Sequence, residues 1–92
     1  MRSETILWQE AIRRAALDLL IGCAQDALVR VKCEDWMGCE APTADFVETC
    51  LLADLDPQRT HEWFLALRRL NATERRAAAA DLRGGRAPAV AA

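Results

Sequence analysis

The pair Asp56-Pro57 constrains the fold of this chain more than any other feature of its sequence. Proline has no backbone N–H and a fixed φ, so it is best tolerated in the first turn of a helix. Aspartate is one of the preferred N-cap residues. The pair therefore predicts that a helix begins at Pro57. A shorter helix is expected before it, from Ala44 to about Ala53 with Thr43 as its N-cap, so that a tight turn joins the two.

The remaining segments also have the apolar spacing of amphipathic helices. In the first one Gln9, Glu10, Arg13 and Arg14 are predicted to face outward. Gly22 ends or interrupts this helix, so the second helix can also be continuous with the first. Thr73 is the expected N-cap of the last one. The sequence thus predicts an all-α fold of four to five short helices with a helix-turn-helix-like hairpin. The predicted helices are residues 3–22, 24–36, 44–53, 57–70 and 74–83.

The apolar faces of the two hairpin helices predict which of their side chains belong to the core. The inward side chains of the shorter helix are expected to be Phe46, Val47, Cys50 and Leu51. The inward side chains of the helix that begins at Pro57 are expected to be Trp63, Phe64, Leu67 and Leu70. The outward set of this second helix is Gln58, His61, Leu65, Arg68 and Arg69.

The length of 92 residues predicts one domain, residues 1–83, with a thin core. Hydrophobic residues make up 52% of the chain, but many are alanines that bury little area. The tryptophans and phenylalanines must therefore supply much of the packing volume. Core packing is also the preferred interpretation of Trp36 and Trp63, over stacking on nucleic-acid bases. Gly84-Gly85 ends the last helix, and residues 84–92 are expected to form a disordered tail because they have too little to bury.

Neither a membrane span nor a catalytic or metal site is expected. No apolar run approaches the roughly 20 residues that cross a bilayer, and no signal-peptide pattern is present, so a cytoplasmic location without membrane contact is expected. The four cysteines are then expected to stay reduced. No two of the cysteines have the Cys-x-x-Cys spacing that is typical of zinc sites. No candidate nucleophile is accompanied by an evident general base and a third group that would orient it, as nucleophilic catalysis requires. We therefore expect a protein that is not an enzyme and that has no metal and no cofactor.

Charge is segregated along the chain. Residues 1–56 have five basic and eleven acidic side chains, whereas residues 57–92 have seven arginines and three acidic side chains. Such a charge distribution affects which partners a protein attracts and does not determine its fold. The acidic surface is expected to include Glu34, Asp35, Glu40, Glu48 and Asp54.

The hairpin and its flanks resemble a pattern in small proteins of phages, prophages and gene transfer agents. The residues that carry the resemblance are Trp36, Asp45-Phe46, Val47, Cys50 and Ala53-Asp54-Leu55-Asp56-Pro57. In that pattern a helix ending in tryptophan precedes Asp-Phe, an adjacent Val/Cys pair and an Ala-Gly-Leu-Asp-Pro turn. Here Asp54 stands in place of the glycine, and two residues separate Val47 from Cys50. The resemblance implies a regulatory protein of a mobile element with a hairpin that contacts DNA.

These observations are compatible with two modes of binding. In the first, the helix that begins at Pro57 recognises DNA, with Arg59 and His61 at base edges and Gln58, Arg68 and Arg69 on phosphates or a partner surface. In the second, the chain is an adaptor or inhibitor whose acidic surface engages a basic, nucleic-acid-binding protein. The pI near 5.3 is unlike that of a typical DNA-binding domain, so both remain open. A homodimer is compatible with either.

Overall fold

The computed structural model describes residues 3–25 and 27–85, apart from the side chains of residues 22–27. This part of the chain forms five helices and no strand, which confirms the predicted all-α fold. The expected tail lies outside the described residues from residue 86 onward. No helix in the described ranges is long and apolar enough to cross a membrane. The helices are α1 (Ser3–Gln25), α2 (Ala27–Met37), α3 (Ala44–Leu52), α4 (Pro57–Arg68) and α5 (Ala72–Arg83).

Helix α1 is the centre of the fold, since it contacts each of the other four helices. Its buried face includes Ile12, Ala16, Leu19 and Leu20. The helix continues past Gly22 to Gln25, so Gly22 does not end it, and α2 begins at Ala27 and not at residue 24 as predicted. A glycine inside a helix costs only about 1 kcal/mol relative to alanine, which packing of the surrounding turns can offset.

The loop between α2 and α3 is held by Gly38 and Thr43. Gly38 has a φ of +88°, and a Cβ at this position would collide with the carbonyl oxygen of Ala41. Thr43 is the N-cap of α3, as predicted, and its Oγ1 accepts from the Phe46 N–H at 3.2 Å. The same hydroxyl donates to the Trp36 carbonyl oxygen at the end of α2. One side chain thus joins the end of α2 to the start of α3.

The four residues Ala53 to Asp56 form the turn between α3 and α4. Asp54 adopts a left-handed conformation with a φ of 59°. This reversal lets the Leu55 N–H donate to the Cys50 carbonyl oxygen at 2.9 Å, which closes the end of α3. Asp56 then caps α4 as predicted, since its Oδ1 accepts from the N–H groups of Gln58 and Arg59 at 2.9 and 3.1 Å.

The N-cap of α5 is Asn71, so the prediction of Thr73 is wrong. The Asn71 side chain accepts from the Glu74 N–H at 2.9 Å, and the Glu74 carboxylate accepts from the Asn71 N–H at 3.0 Å. This reciprocal capping box satisfies two backbone groups at once. It therefore places the start of the helix at Ala72, two residues before the predicted start.

The core is built around a cluster of aromatic rings in which Phe46 and Phe64 are fully buried. Phe46 makes edge contacts with Trp36 at 5.0 Å and with Phe64 at 5.4 Å between ring centroids. Leu51 was predicted to point inward, but it is 64% exposed. The buried side of α3 runs through Phe46 and Cys50 to Ala53, which leaves Leu51 to solvent.

Candidate binding groove

An open groove of about 410 Å³ lies between the first half of α1, the start of α4 and the end of α5. Three elements that are distant in sequence therefore share one surface depression. Its volume is within the range of about 300 to 1,000 Å³ that is typical of ligand pockets. The residues that line it are Gln9, Ile12, Arg13, Leu55, Arg59, Thr60, Trp63 and Leu82.

Four apolar side chains make up the base of the groove. Ile12 and Leu82 are buried members of the core, while Leu55 and Trp63 are half-buried and pack against it. The Trp63 indole is supported by an edge contact with Phe64, with ring centroids 5.5 Å apart. Because each of these side chains packs against the core, the fold itself holds the apolar base of the groove in place.

Arg13 forms one wall of the groove and joins α1 to α5. Its Nε and Nη2 atoms donate to the Glu10 carboxylate at 2.5 to 3.1 Å, and its Nη1 donates to the Leu82 carbonyl oxygen at 3.0 Å. The hydrogen bonds to Arg13 hold the pKa of Glu10 below its ordinary value and raise the pKa of Arg13. Arg13 was predicted to face outward, but its guanidinium bridges two helices.

Gln9 and Thr60 are the two uncharged polar residues of the groove. The Gln9 amide donates to the Ala53 carbonyl oxygen at 3.1 Å, which ties α1 to the turn before α4. Burial raises the pKa of Cys50, and the neighbouring Thr60 side chain offsets part of that rise. Gln9 is therefore engaged within the fold, and Thr60 lies beside Cys50.

Arg59 is the remaining charged residue at the groove, and it is exposed. Its backbone N–H donates to the Asp56 cap. Its guanidinium forms no ion pair with any carboxylate in the described part of the chain. Of the predicted DNA- or partner-binding residues, only Arg59 lines this groove.

His61 was predicted to point outward and to approach DNA bases, but the structure places it in the core with 2% of its surface exposed. Its Nε2 lies 2.8 Å from the Gly38 carbonyl oxygen, which can only accept, so Nε2 donates. Its ring also makes an edge contact with Phe46 at 5.6 Å. The prediction of an outward His61 is therefore wrong, since the α2–α3 loop covers this side of α4.

The other predicted residues of α4 lie outside the groove. Gln58 is exposed, and its amide donates to the Glu62 carboxylate at 3.3 Å. Arg68 is half-buried in the last turn of α4, and Arg69 is the C-cap residue. Leu65, also predicted to face outward, is half-buried against the core.

The predicted acidic residues are spread over α2, α3 and their connecting segments. Glu34 is half-buried and pairs with Arg30 at 3.0 Å. The other four are exposed and form no ion pair in the described ranges; they are Asp35, Glu40, Glu48 and Asp54.

The described cysteines do not form a site together. Cys33 and Cys50 are buried, and Cys39 is exposed in the loop after α2. Burial raises the pKa of the Cys33 thiol to about 11, so this thiol is protonated at neutral pH. Among the described residues, no group of three or more His, Cys, Asp or Glu side chains is arranged to hold a metal ion.

Comparisons of the chain with protein-family profiles, with curated proteins and with solved structures found no match. The sequence does not indicate any residue of the groove except Arg59 as a binding residue, and the residues of α1 and α5 were the least accessible to prediction. They are separated from α4 by many positions along the chain, and no local spacing in the sequence relates them.

Proposed function

We propose that this chain functions by binding another protein through the groove between α1, α4 and α5. The observation that carries the proposal is the apolar base of this open groove, formed by Ile12, Leu55, Trp63 and Leu82. An apolar depression lined with a few polar groups is the typical form of a recognition site. Trp63 is half-buried in the lining of this groove, and tryptophan is among the side chains that contribute most to protein interfaces.

The rest of the surface supports a protein partner. The pI near 5.3 is unlike that of a typical DNA-binding domain. His61 is not accessible to a partner. Large apolar side chains are also exposed outside the groove. They are Ile6, Leu7, Leu28, Val31, Leu51 and Leu52.

Selection from a library of random peptides tests this proposal. Selected peptides are expected to shift the Trp63 indole N–H resonance in a ¹⁵N spectrum, with Trp63→Phe used to assign that signal. Trp63→Ala should weaken binding, whereas Val31→Ala removes an exposed apolar side chain of α2 outside the groove and should not. If no peptide is selected, or if selected peptides leave the Trp63 resonance unchanged, the proposal is rejected.

DNA recognition by α4 is the second candidate. It is favoured by Arg59 and Arg69, which form no ion pair within the described residues. In this mode α3 and α4 act as a helix-turn-helix unit, and Arg68 and Gln58 add phosphate contacts. Affinity for random duplex DNA should then fall steeply as salt rises, and Arg69→Ala should weaken it. The absence of binding at low salt would exclude this mode.

The resemblance of the hairpin to phage and prophage proteins supports a regulatory role in either case. Such a regulator would work in the cytoplasm, alone or as a homodimer. In the protein-binding mode, the exposed acidic residues Asp35, Glu40, Glu48 and Asp54 would provide a second contact to a basic partner.

A further inference from the structure

We infer that the groove binds an apolar segment of a partner protein that carries a carboxylate, and that this carboxylate pairs with Arg59. The inference rests on the proposed protein-binding function and specifies the chemistry of the partner.

The charged residues of the groove leave one group for a ligand. Arg13 is engaged with Glu10 and with the Leu82 carbonyl oxygen. The Gln9 amide donates to the Ala53 carbonyl oxygen, and Thr60 carries no charge. Arg59 alone among the lining side chains offers a full charge without an internal partner in the described part of the chain.

The acidic side chains nearest to Arg59 in sequence do not neutralise it. The Asp56 Oδ1 is occupied by two backbone N–H groups of α4. Glu62 is three residues away on the same helix, but its carboxylate accepts from the Gln58 amide. The guanidinium therefore keeps its donors for a carboxylate, which it can bind through two parallel hydrogen bonds.

The shape of the groove favours a segment of a protein over a small acid. The groove is open to solvent, whereas sites for small molecules enclose about 70 to 90% of the ligand. Its base has four apolar side chains, which come from three helices and the turn before α4 and suit the apolar side chains of a protein segment. The bridge from Arg13 to Leu82 fixes α1 against α5, so the site exists before the partner binds.

Two peptide libraries with the same randomised apolar positions test the inference. One library carries aspartate or glutamate at its charged positions, and the other carries lysine or arginine. Binders that shift the Trp63 indole resonance are expected from the acidic library. Arg59→Ala should weaken them about tenfold, and Arg59→Glu should favour the basic library instead. Arg76→Ala is the matched control, because it removes an exposed arginine of α5 outside the groove and should leave affinity unchanged.

The outcomes separate this inference from the proposed function. Groove binders that come equally from both libraries and do not respond to Arg59→Ala would overturn the inference but not protein binding. The absence of any binder at Trp63 would overturn both. Self-association that is abolished by Arg59→Glu would assign the groove to a second copy of the chain and would also overturn the inference.

Discussion

Asp54 holds a left-handed backbone conformation, with a φ of 59°, at the turn between α3 and α4. Aspartate tolerates this conformation, but glycine adopts it without steric cost. We expect Asp54→Gly to be about 1 kcal/mol more stable than Asp54→Ala, since both remove the carboxylate and only alanine keeps a Cβ. Urea unfolding of the two variants measures this difference. Equal stabilities would show that the turn does not require a positive φ.

His61 links α4 to the α2–α3 loop through its hydrogen bond to Gly38. We expect His61→Ala to lower the free energy of unfolding by roughly 2 to 4 kcal/mol, because it leaves a cavity beside Phe46 and an unpaired carbonyl group. Urea unfolding measures this change. Glu62→Ala, at the exposed neighbouring position, should change stability by less than about 0.5 kcal/mol. An equal effect of the two substitutions would contradict the buried position of His61.

The roles of residues that contact their near neighbours in sequence could be predicted. The roles of residues whose contacts lie far away along the chain could not. Thr43 and Asp56 act as N-caps through the backbone N–H groups of the next three residues, and both caps were predicted. His61 was misassigned because its environment is set by Gly38, 23 residues earlier. The helical pattern of α4 alone does not reveal that a loop covers this side of it.

At the scale of one element, α5 has two candidate N-cap residues, and a single additional contact decides which of them caps the helix. Asn71 and Thr73 are both good N-cap residues, but Asn71 combines with Glu74 in a capping box. We expect Asn71→Ala to destabilise the protein by about 1 kcal/mol. Thr73→Ala should have little effect, since Thr73 lies within the helix and is exposed. Thermal unfolding followed by circular dichroism compares the two, and a larger loss with Thr73→Ala would contradict the observed cap.

The starts of the two hairpin helices could be predicted, because cap residues mark them. The start of α4 at Pro57 and the start of α3 after Thr43 agree with the prediction. The end of α1 does not, since Gly22 has low helix propensity but lies in a helix that contacts all the others. Tertiary packing overrides local propensity there.

At the scale of the whole molecule, stability depends on few large side chains. Phe46 is fully buried and contacts three other aromatic rings. We expect Phe46→Ala to cost about 3 to 5 kcal/mol, a large part of the roughly 5 to 15 kcal/mol of a small domain. Leu51→Ala, on the exposed side of the same helix, should cost far less. Urea unfolding compares them, and similar losses would contradict the assignment of the core.

The groove is also a property of the whole molecule, and for this reason the sequence did not predict it. Its lining side chains come from α1, the turn, α4 and α5. Of these, the sequence indicates only Arg59 as a binding residue, because its place in the first turn of α4 marks it as exposed. Arg13 was recognised only as a member of a polar helix face, since its contact with Leu82 spans 69 positions.

The contact between Arg13 and Leu82 also affects the order in which the protein folds. During synthesis, α1 is complete long before the residues of α5 have been made. The side of α1 that α5 covers therefore stays uncovered until 69 further residues, up to Leu82, have been added after Arg13. The contacts of α1 with α2, α3 and α4 can form earlier, so the packing of α5 against α1 completes the core last.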